Sequence, residues 1–343
     1  RNHGSTNAVL IVEALDLSNM SLSGSLSSSI GLLHNLVNLT IASNNLTGPL
    51  PPSVCDIGPT LRSLNISNNL FNGFFLAQNL TNLASLHVLD AYNNNFTGPL
   101  PLEISKLNSL HHLHLGGNYF EGTIPPQYGS LMNLSYLALS GNSLTGRIPV
   151  EIGNLALLED LYLGYYNQFD AGIPSALGRL TRLVRLDLAD CGLSGNIPPH
   201  LGNLTNLDSL FLQINSLSGS IPEELGMLVS LRSLDLSNNL ISGHIPDTFS
   251  GLSRLELLNL FRNRVQGPIP GFIATLPSLQ VLSLWENNMT GMVPQTLGSH
   301  QGLLTLDLSS NSFYGPIPPS LCAMGRLERL ILFNNMLSGS IPL

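Results

Sequence analysis

A short pattern, Leu-x-Leu-x-x-Asn-x-Leu-x-Gly, returns fourteen times along this chain of 343 residues, at a spacing of 24 or 25 residues. One unit of this size cannot bury its own apolar face and must stack on a copy of itself. The regularity therefore predicts one elongated solenoid, where length alone would suggest two globular domains. Met20 and Cys191 occupy the asparagine position in the first and eighth units, and the other twelve hold Asn44, Asn69, Asn94, Asn118, Asn142, Asn167, Asn215, Asn239, Asn263, Asn287, Asn311 and Asn335.

Residues 231–246 show how one unit should fold. Leu234 and Leu236 alternate with polar residues, and this period of two predicts a short strand with one buried face. Asn239 then turns inward, where a buried amide must satisfy its donors and its acceptor. Backbone groups of adjacent units can do this, so the asparagines should form a ladder. Ile245-Pro246 continues as extended chain, and a helical or 3-10 turn should follow on the outer side.

The composition fits a long apolar core without a membrane span. Hydrophobic residues make up 43% of the chain and charged residues only 10%, and the mean hydropathy is +0.23. No apolar run reaches the roughly 20 residues that cross a bilayer, so the leucines of the repeat account for the excess. The net charge of −8 disfavours nucleic acid and suits a cationic partner.

The segment Gly-x-Ile-Pro follows the asparagine in most units, for example at Gly219-Ser-Ile-Pro222. These are leucine-rich repeats, and the form Leu-x-Gly-x-Ile-Pro resembles their plant-specific class. The resemblance implies that this segment makes a second strand and that the rod twists. The predicted fold is an α/β leucine-rich-repeat solenoid, a twisted right-handed superhelix of about 14 repeats. It should have a parallel inner sheet, outer second strands and 3-10 or helical turns, in a single domain over residues 1–343.

Solenoids need polar caps at both ends, and neither end of this chain shows one. The paired-cysteine cap with which the plant class usually starts is absent, and the last repeat stops in mid-unit. We therefore expect a fragment of a longer ectodomain, without its capping regions, transmembrane helix and kinase. Cys191 should be a buried, unpaired packing residue. Cys55 and Cys322 lie too far apart to pair within a stiff rod, so both are free thiols or one has a partner beyond the chain ends.

Nine Asn-x-Ser/Thr sequons favour a secreted glycoprotein. Asn38 and Asn65 fall on inner strands, so they should stay unmodified or mark inner surface that no ligand uses, and Asn19 completes the nine. The positions that we predict to be glycosylated are Asn79, Asn133, Asn203, Asn45, Asn95 and Asn288.

Side chains beside the strand leucines point into the concave face and can vary without harming the core. In the first three repeats they are small and polar: Ala14, Asp16, Ser18, Asn38, Thr40, Ala42, Ser63, Asn65 and Ser67. From the fourth repeat large aromatic and acidic side chains predominate, and exposed aromatics usually mark a binding surface. These residues are Asp90, Tyr92, His112, His114, Tyr136, Tyr162, Tyr165, Asp187, Phe211, Gln213, Asp235, Asn259, Phe261, Trp285, Asp307, Ile331 and Phe333.

Two features of this band suggest an extended cationic ligand. Asp187, Phe211 and Asp235 occupy one slot on successive strands, so a cationic group could pair with the aspartates while apolar groups contact the ring. Twelve extended residues span about 40 Å, or about eight strands at ~4.8 Å each. Two alternatives remain open: the aspartates are ordinary solvated strand residues, and Phe261 and Trp285 stack only for stability.

The irregular repeat Leu163-Gly-Tyr-Tyr-Asn-Gln-Phe-Asp-Ala-Gly-Ile-Pro174 is the most distinctive part of the chain. Together with His112-Leu-His-Leu-Gly-Gly-Asn-Tyr-Phe120, Leu258-Asn-Leu-Phe-Arg-Asn263 and Leu284-Trp-Glu-Asn-Asn288, it closely resembles ectodomains of the CLAVATA / BARELY ANY MERISTEM clade of plant receptor kinases. The resemblance covers residues 10–343. That clade binds small secreted CLE peptides in extended form, and the resemblance implies that the groove is lined by Asp187, Phe211, Asp235, Phe261 and Trp285.

The resemblance also implies partners and a location. The parent would be a membrane-anchored Ser/Thr receptor kinase on the plant cell surface, signalling through a SERK-type or related co-receptor. An Arg-x-Arg pair that holds the peptide C-terminus in related receptors is not found at its slot. Arg262 and Arg264 flank Asn263 instead, so we expect the pair, and the co-receptor surface, beyond residue 343. A secreted inhibitor or immune protein that grips a whole protein with the same face is the alternative.

Neither catalysis nor a cofactor is predicted for this chain. His111, His112 and His114 form the only dense cluster of titratable residues. His112 and His114 share one face, but two ligands without a third make a weak metal site, so no metal is predicted. No nucleophile–base arrangement or phosphate-binding loop is present.

Overall fold

The computed structural model describes residues 11–76, 79–299, 302–323 and 325–341. The remaining residues, including both ends of the predicted domain, lie outside this description. An inner sheet of fourteen parallel strands runs the length of the molecule, in sequence order. Its strands are β1 (Ala14–Asp16), β3 (Asn38–Thr40), β5 (Ser63–Asn65), β7 (Val88–Asp90), β9 (His112–His114), β11 (Tyr136–Ala138), β13 (Asp160–Tyr162), β15 (Arg185–Asp187), β17 (Ser209–Phe211), β19 (Ser233–Asp235), β21 (Leu257–Asn259), β23 (Val281–Ser283), β25 (Thr305–Asp307) and β27 (Arg329–Ile331).

A second layer of strands follows the inner ones and forms two lateral sheets of seven strands each. The first contains β2 (Ser23–Ser25), β4 (Asn45–Gly48), β6 (Leu70–Phe74), β8 (Asn95–Pro99), β10 (Tyr119–Gly122), β12 (Ser143–Gly146) and β14 (Gln168–Phe169). The second contains β16 (Ser194–Asn196), β18 (Ser216–Ser220), β20 (Leu240–Gly243), β22 (Arg264–Gly267), β24 (Asn288–Met292), β26 (Ser312–Pro316) and β28 (Met336–Ser338). The predicted second strands are confirmed.

Short 3-10 turns form most of the outer side, as predicted. A proline usually precedes the turn: Pro246 accepts the N–H of Phe249 (3.1 Å), and Phe249 accepts that of Leu252 (3.0 Å). Neighbouring turns pack tightly, since a Cβ on Gly178 would overlap the carbonyl oxygen of His200. The turns are Ser28–Leu32, Pro52–Thr60, Leu80–Asn82, Leu102–Lys106, Pro126–Ser130, Val150–Asn154, Ser175–Arg179, Pro199–Asn203, Glu223–Met227, Asp247–Gly251 and Gly271–Thr275, followed by the short α-helix α1 (Ser320–Ala323).

One expectation about the second strands needs correction. The Gly-x-Ile-Pro segment was expected to form them, but β20 comprises Leu240–Gly243 and ends at the glycine. Gly243 has a φ of 79°, a left-handed conformation that glycine adopts without steric cost. The chain bends there, and Ile245 enters the core while Pro246 opens the 3-10 turn.

The core is one continuous stack of apolar side chains. Leu234 and Leu236 are fully buried in the inner layer, as their alternation predicts, and Phe249 reaches the same core from the outer turn. Each buried leucine stabilises the fold by roughly 1.5–3 kcal/mol relative to an exposed one. In the described residues, no helix is long and apolar enough to cross a membrane.

The predicted asparagine ladder is present. The Asn239 amide donates to the carbonyl oxygens of Leu212 (2.9 Å) and Leu236 (3.0 Å), and its oxygen accepts the N–H of Leu217 (3.0 Å). It therefore binds its own repeat and the preceding one. The other ladder asparagines make the same contacts, for example Asn287 with Leu260 and Val265.

Cys191 takes the ladder position in its repeat and is buried and unpaired, as predicted. Its thiol donates to the carbonyl oxygen of Leu188 (2.9 Å), and its own carbonyl accepts the N–H of Phe169 (2.8 Å), where an asparagine side chain would otherwise accept. Cys55 is buried and Cys322 exposed, and within the described residues neither forms a disulfide; a partner beyond the chain ends stays open.

The irregular repeat inserts one residue ahead of the ladder. Tyr165 and Tyr166 both adopt left-handed φ angles, 58° and 64°, whereas other repeats place one such residue there. The inner sheet continues through this point, but the lateral layer stops at β14 and resumes as a separate sheet at β16. The extra residue is thus accommodated outside the inner sheet.

We predict that Asn239→Ala lowers the free energy of unfolding by about 1–3 kcal/mol, because it leaves buried backbone groups of two repeats without partners. Asn38→Ala is the matched control, since Asn38 lies exposed on an inner strand and its loss should change stability by less than about 0.5 kcal/mol. Chemical denaturation of both variants measures the difference. Equal losses would contradict the role assigned to the ladder.

Candidate functional site on the inner face

Side chains that leave the inner sheet away from the core form three columns, which together make up the inner face. Column one is the first residue of each strand, column two the third residue, and column three the residue two positions further on. Tyr165 lies one residue beyond column three of its repeat. The other residues predicted for the band fall in the columns: His112 and Tyr136 in column one; Asp90, His114, Tyr162, Asp187, Phe211, Asp235, Asn259, Asp307 and Ile331 in column two; and Tyr92, Gln213, Phe261, Trp285 and Phe333 in column three.

A histidine–tyrosine cluster, made of Tyr92, His112, His114, Tyr136 and Tyr162, occupies the fourth to seventh repeats. Ring centroids are 4.6 Å apart for Tyr92 and His114 and 4.2 Å for His112 and Tyr136, and both pairs stack. Tyr136 also lies 5.6 Å from Tyr162. The rings therefore form one continuous half-buried surface across four strands.

Burial sets the protonation of this cluster. Loss of solvent lowers the pKa of His112 and of His114, although the nearby Asp90 carboxylate opposes the shift. Burial also raises the pKa of Tyr136 to about 12, with a smaller contribution from Tyr162. The two imidazoles and the Tyr136 phenol are thus held in their neutral forms near pH 7, in which they donate and accept hydrogen bonds.

The sequence offers two neighbouring histidines as potential metal ligands, and the structure places a third potential ligand beside them. Asp90 lies directly across from His114 in the sheet register, and its Oδ1 is 3.7 Å from His114 Nδ1. One potential ligand atom from each of Asp90, His112 and His114 lies within 4.8 Å of the others.

The sequence analysis also missed a charged pair in column one. The Arg185 guanidinium lies 3.3 Å from the Asp160 carboxylate, and the Tyr162 hydroxyl donates to the same oxygen at 3.3 Å. Arg185 is half exposed and carries a positive charge into the middle of the band. The repeat spacing predicts that Asp160 and Arg185 both lie in column one, but neither was among the predicted site residues.

The aspartates of column two have a structural role that was not predicted. Asp235 Oδ1 accepts both the N–H (3.0 Å) and the hydroxyl (2.6 Å) of Ser237, and Oδ2 accepts the amide of Asn259 (2.9 Å). Asp16, Asp90 and Asp307 likewise accept the N–H two residues on. This local bond fixes the turn after each strand. These carboxylates are therefore partly engaged, neither simply solvated nor fully free.

Asp187 differs from Asp235. The register confirms that Asp187, Phe211 and Asp235 lie side by side on successive strands. Within the described part of the chain, the Asp187 carboxylate has a single hydrogen bond, from the Ala189 N–H at 3.0 Å. Burial raises its pKa, and that hydrogen bond opposes the shift only in part. A cationic partner would therefore stabilise the ionised Asp187 carboxylate more than that of Asp235.

Phe261 and Trp285 stack with their ring centroids 5.0 Å apart and the planes 12° from parallel. Arg262 lies over the Trp285 ring at 4.7 Å and pairs with Glu286 at 2.9 Å. The two rings therefore do stack on each other, and both remain half-buried on the inner face. Arg264 belongs to the lateral strand β22, so the two arginines do not share an inner strand.

The irregular repeat places its two tyrosines at the edge of the inner face. Burial raises the pKa of Tyr165, and a side-chain hydrogen bond from Gln213 opposes the shift. Gln213 Oε1 is buried and has no hydrogen-bond partner among the described residues. Tyr166 is 77% exposed and lines a hollow of about 400 Å³ together with Tyr119 and Asn95.

The sequons remain predictions, but their positions differ in accessibility. Asn79, Asn133 and Asn203 are exposed on the outer side next to 3-10 turns. Asn45 and Asn288 are exposed on lateral strands, whereas Asn95 is half-buried on β8. On the inner face, Asn38 is exposed and Asn65 is half-buried, its oxygen accepting from Ser67 (3.0 Å) as the column-two aspartates do.

Family models match most of the chain. A leucine-rich repeat region matches residues 186–338, and the single leucine-rich repeat matches residues 35–57, 85–107, 109–131 and 133–155. A leucine-rich repeat protein of Leptospira interrogans is 31% identical, with a TM-score of 0.77, and the match covers 93% of this chain and 77% of that protein. The chain belongs to the leucine-rich repeat proteins.

Among solved structures, the chain is similar to ectodomains of plant receptors. A TDR receptor is 44% identical with a TM-score of 0.94, over 96% of this chain and 57% of that one. The ectodomain of the Arabidopsis receptor kinase HAESA, solved with an IDA peptide hormone, is 37% identical with a TM-score of 0.89, over 96% and 55%. A further HAESA structure holds the hormone and the co-receptor SERK1. The chain thus spans little more than half of the TDR and HAESA chains in the first two structures.

We predict that Asp235→Ala lowers the free energy of unfolding by about 1.5–3 kcal/mol, because Ser237 and Asn259 lose a charged acceptor. Asp187→Ala should cost at least about 1 kcal/mol less, because it removes one hydrogen bond together with a poorly solvated carboxylate. Denaturant unfolding of the two variants provides the comparison. Similar losses would show that Asp187 serves the fold as Asp235 does.

Proposed function

We propose that this chain is the extracellular ligand-sensing region of a plant membrane receptor kinase, and that it binds a CLE-type peptide in extended form along the inner face. The main support is the band of aromatic and acidic side chains, which begins at the fourth repeat and runs along one side of a continuous sheet. The chain is also similar to the HAESA ectodomain, which was solved with a peptide hormone, and this similarity supports a peptide as the ligand.

The length of the band suits such a ligand. The band crosses eleven inner strands in all, and its part from Asp90 on β7 to Trp285, two residues beyond β23, crosses nine of them. Eight intervals of ~4.8 Å give about 38 Å, which is close to the span of twelve extended residues. A twelve-residue peptide lying across the strands would therefore place about one and a half of its residues over each repeat.

The chemistry of the band divides the peptide into regions. The histidine–tyrosine cluster and the Phe261–Trp285 stack offer ring faces to proline-like and apolar side chains. Between them, Asp187 offers a half-buried carboxylate beside the ring of Phe211, which suits a cationic side chain or the peptide amino group. Asp235 contributes negative potential while its oxygens stay bonded to Ser237 and Asn259.

The wider receptor is part of the same proposal. A single-pass receptor would place this chain outside the cell and a Ser/Thr kinase inside, and peptide binding would recruit a SERK-type or related co-receptor. HAESA provides the precedent for such a complex. We assign no co-receptor surface to the residues described here.

Trp285→Ala in the full ectodomain should weaken binding of a CLE peptide by about 30-fold or more, since a tryptophan that is a binding hot spot commonly contributes at least about 2 kcal/mol. The loss of stability should be limited to the stacking with Phe261, about 0.5–1.5 kcal/mol. Calorimetry with a panel of hydroxylated twelve-residue CLE peptides measures the first quantity, and denaturant unfolding the second.

Tyr314→Ala is the control, because Tyr314 is an exposed aromatic residue on the lateral strand β26, away from the inner face. It should leave peptide affinity unchanged. Trp285 is the only tryptophan of the chain, so its emission should also shift when a peptide binds. No heat with any peptide, together with a tight complex with a whole protein, would replace this proposal with that of an inhibitor or immune receptor.

A further inference from the structure

Three side chains of types that commonly bind metal ions lie close together on the inner face, at β7 and β9. His112 and His114 are two residues apart on β9, so their rings leave the same side of the sheet. Asp90 on β7 is the register partner of His114. The 24-residue period brings the carboxylate beside the imidazoles, and no other group of three or more such residues with this geometry occurs in the described residues.

The donor atoms are close to the spacing that a metal ion requires. A tetrahedral ion with ligand distances of ~2.0–2.1 Å needs donor atoms about 3.4 Å apart. Asp90 Oδ1 and His114 Nδ1 are 3.7 Å apart, and the three donors lie within 4.8 Å of one another. The donors are thus somewhat wider apart than in a bound site, and an ion would have to draw them together.

Neighbouring groups hold the three side chains in place. Tyr92 stacks on His114, and Tyr136 stacks on His112. The backbone N–H of Tyr92 donates to Asp90 Oδ1 at 3.0 Å, which fixes the carboxylate from its own turn. Supporting contacts of this kind orient metal ligands and strengthen their binding. The His114 and Asp90 side chains remain 18% and 19% exposed, so an ion can reach them.

We propose that Asp90, His112 and His114 form a Zn²⁺ site on the inner face. Two imidazoles and one carboxylate are a donor set for zinc and similar transition metals, whereas Mg²⁺ and Ca²⁺ prefer oxygen ligands. Three protein ligands leave a coordination position open to water or to a donor atom of a molecule lying on the same face. These residues also belong to the proposed peptide-binding band, but the test of the metal site needs only the metal, so its outcome does not depend on whether a peptide binds.

Titration of metal-free protein with Zn²⁺ in a calorimeter tests the site. The expected result is binding of one Zn²⁺ that His114→Ala and Asp90→Asn each weaken at least about tenfold, while Mg²⁺ and Ca²⁺ give no comparable heat. Asp90→Asn is the sharper variant, because Asn65 makes the same turn contact two strands earlier in the sequence order, on β5. The fold should therefore tolerate the change, and an unchanged melting temperature without zinc verifies this.

His87 and His111 supply the matched control. Their rings stack with centroids 5.1 Å apart, outside the cluster of three donors. The double variant His87→Ala/His111→Ala removes as many imidazoles as the site contains and should leave the affinity for Zn²⁺ unchanged. The proposal is overturned if wild-type protein gives no saturable zinc binding, if Asp90→Asn and His114→Ala bind as wild type does, or if the control variant loses binding to the same extent.

Discussion

The hydrogen bonds of the buried asparagine side chains constrain the repeat length and the stacking of the repeats, on which the rest of the structure depends. Each amide bonds backbone groups of its own repeat and of the repeat before it, as Asn239 does with Leu236 and Leu212. An unpaired buried amide or carbonyl is costly, so the period of the chain must return an asparagine, or a substitute, at every turn. Cys191 shows how a substitute works, because its thiol and its own carbonyl replace the missing amide.

This constraint leaves the inner face free to vary, but less completely than side-chain direction alone implies. The column-two aspartates are shared between the fold and any ligand, because they accept the N–H two residues further on. The difference between Asp235, whose two oxygens both accept hydrogen bonds, and Asp187, which has one hydrogen bond, comes from Ser237 and Asn259 nearby. Negative charge at a given slot is therefore not equivalent from one strand to the next.

Much of this arrangement could be predicted from the sequence because the period is so regular. The strands, the ladder and the alignment of Asp187 with Phe211 follow from counting residues. The link between Asp90 and His114 follows from the same count, at 24 residues, but was missed because only the histidines were considered. The pattern Asp-x-Ser at Asp235 and Asp307 also indicated the turn contacts. The interruption of the lateral layer could not be predicted, since it depends on how Tyr165 and Tyr166 absorb an extra residue.

That interruption has a consequence for how the rod comes apart. The stability of a solenoid is a sum of repeat terms and nearest-neighbour interfaces. Between β14 and β16 the interface keeps its inner-sheet bonds and its apolar packing but lacks continuous lateral pairing. Cooperativity should therefore be weakest at this junction, and the chain should behave as two coupled blocks of seven repeats each. In hydrogen exchange or under mechanical load, one block should therefore unfold while the other stays folded. The boundary between them should lie at this junction, beside Tyr165 and Tyr166.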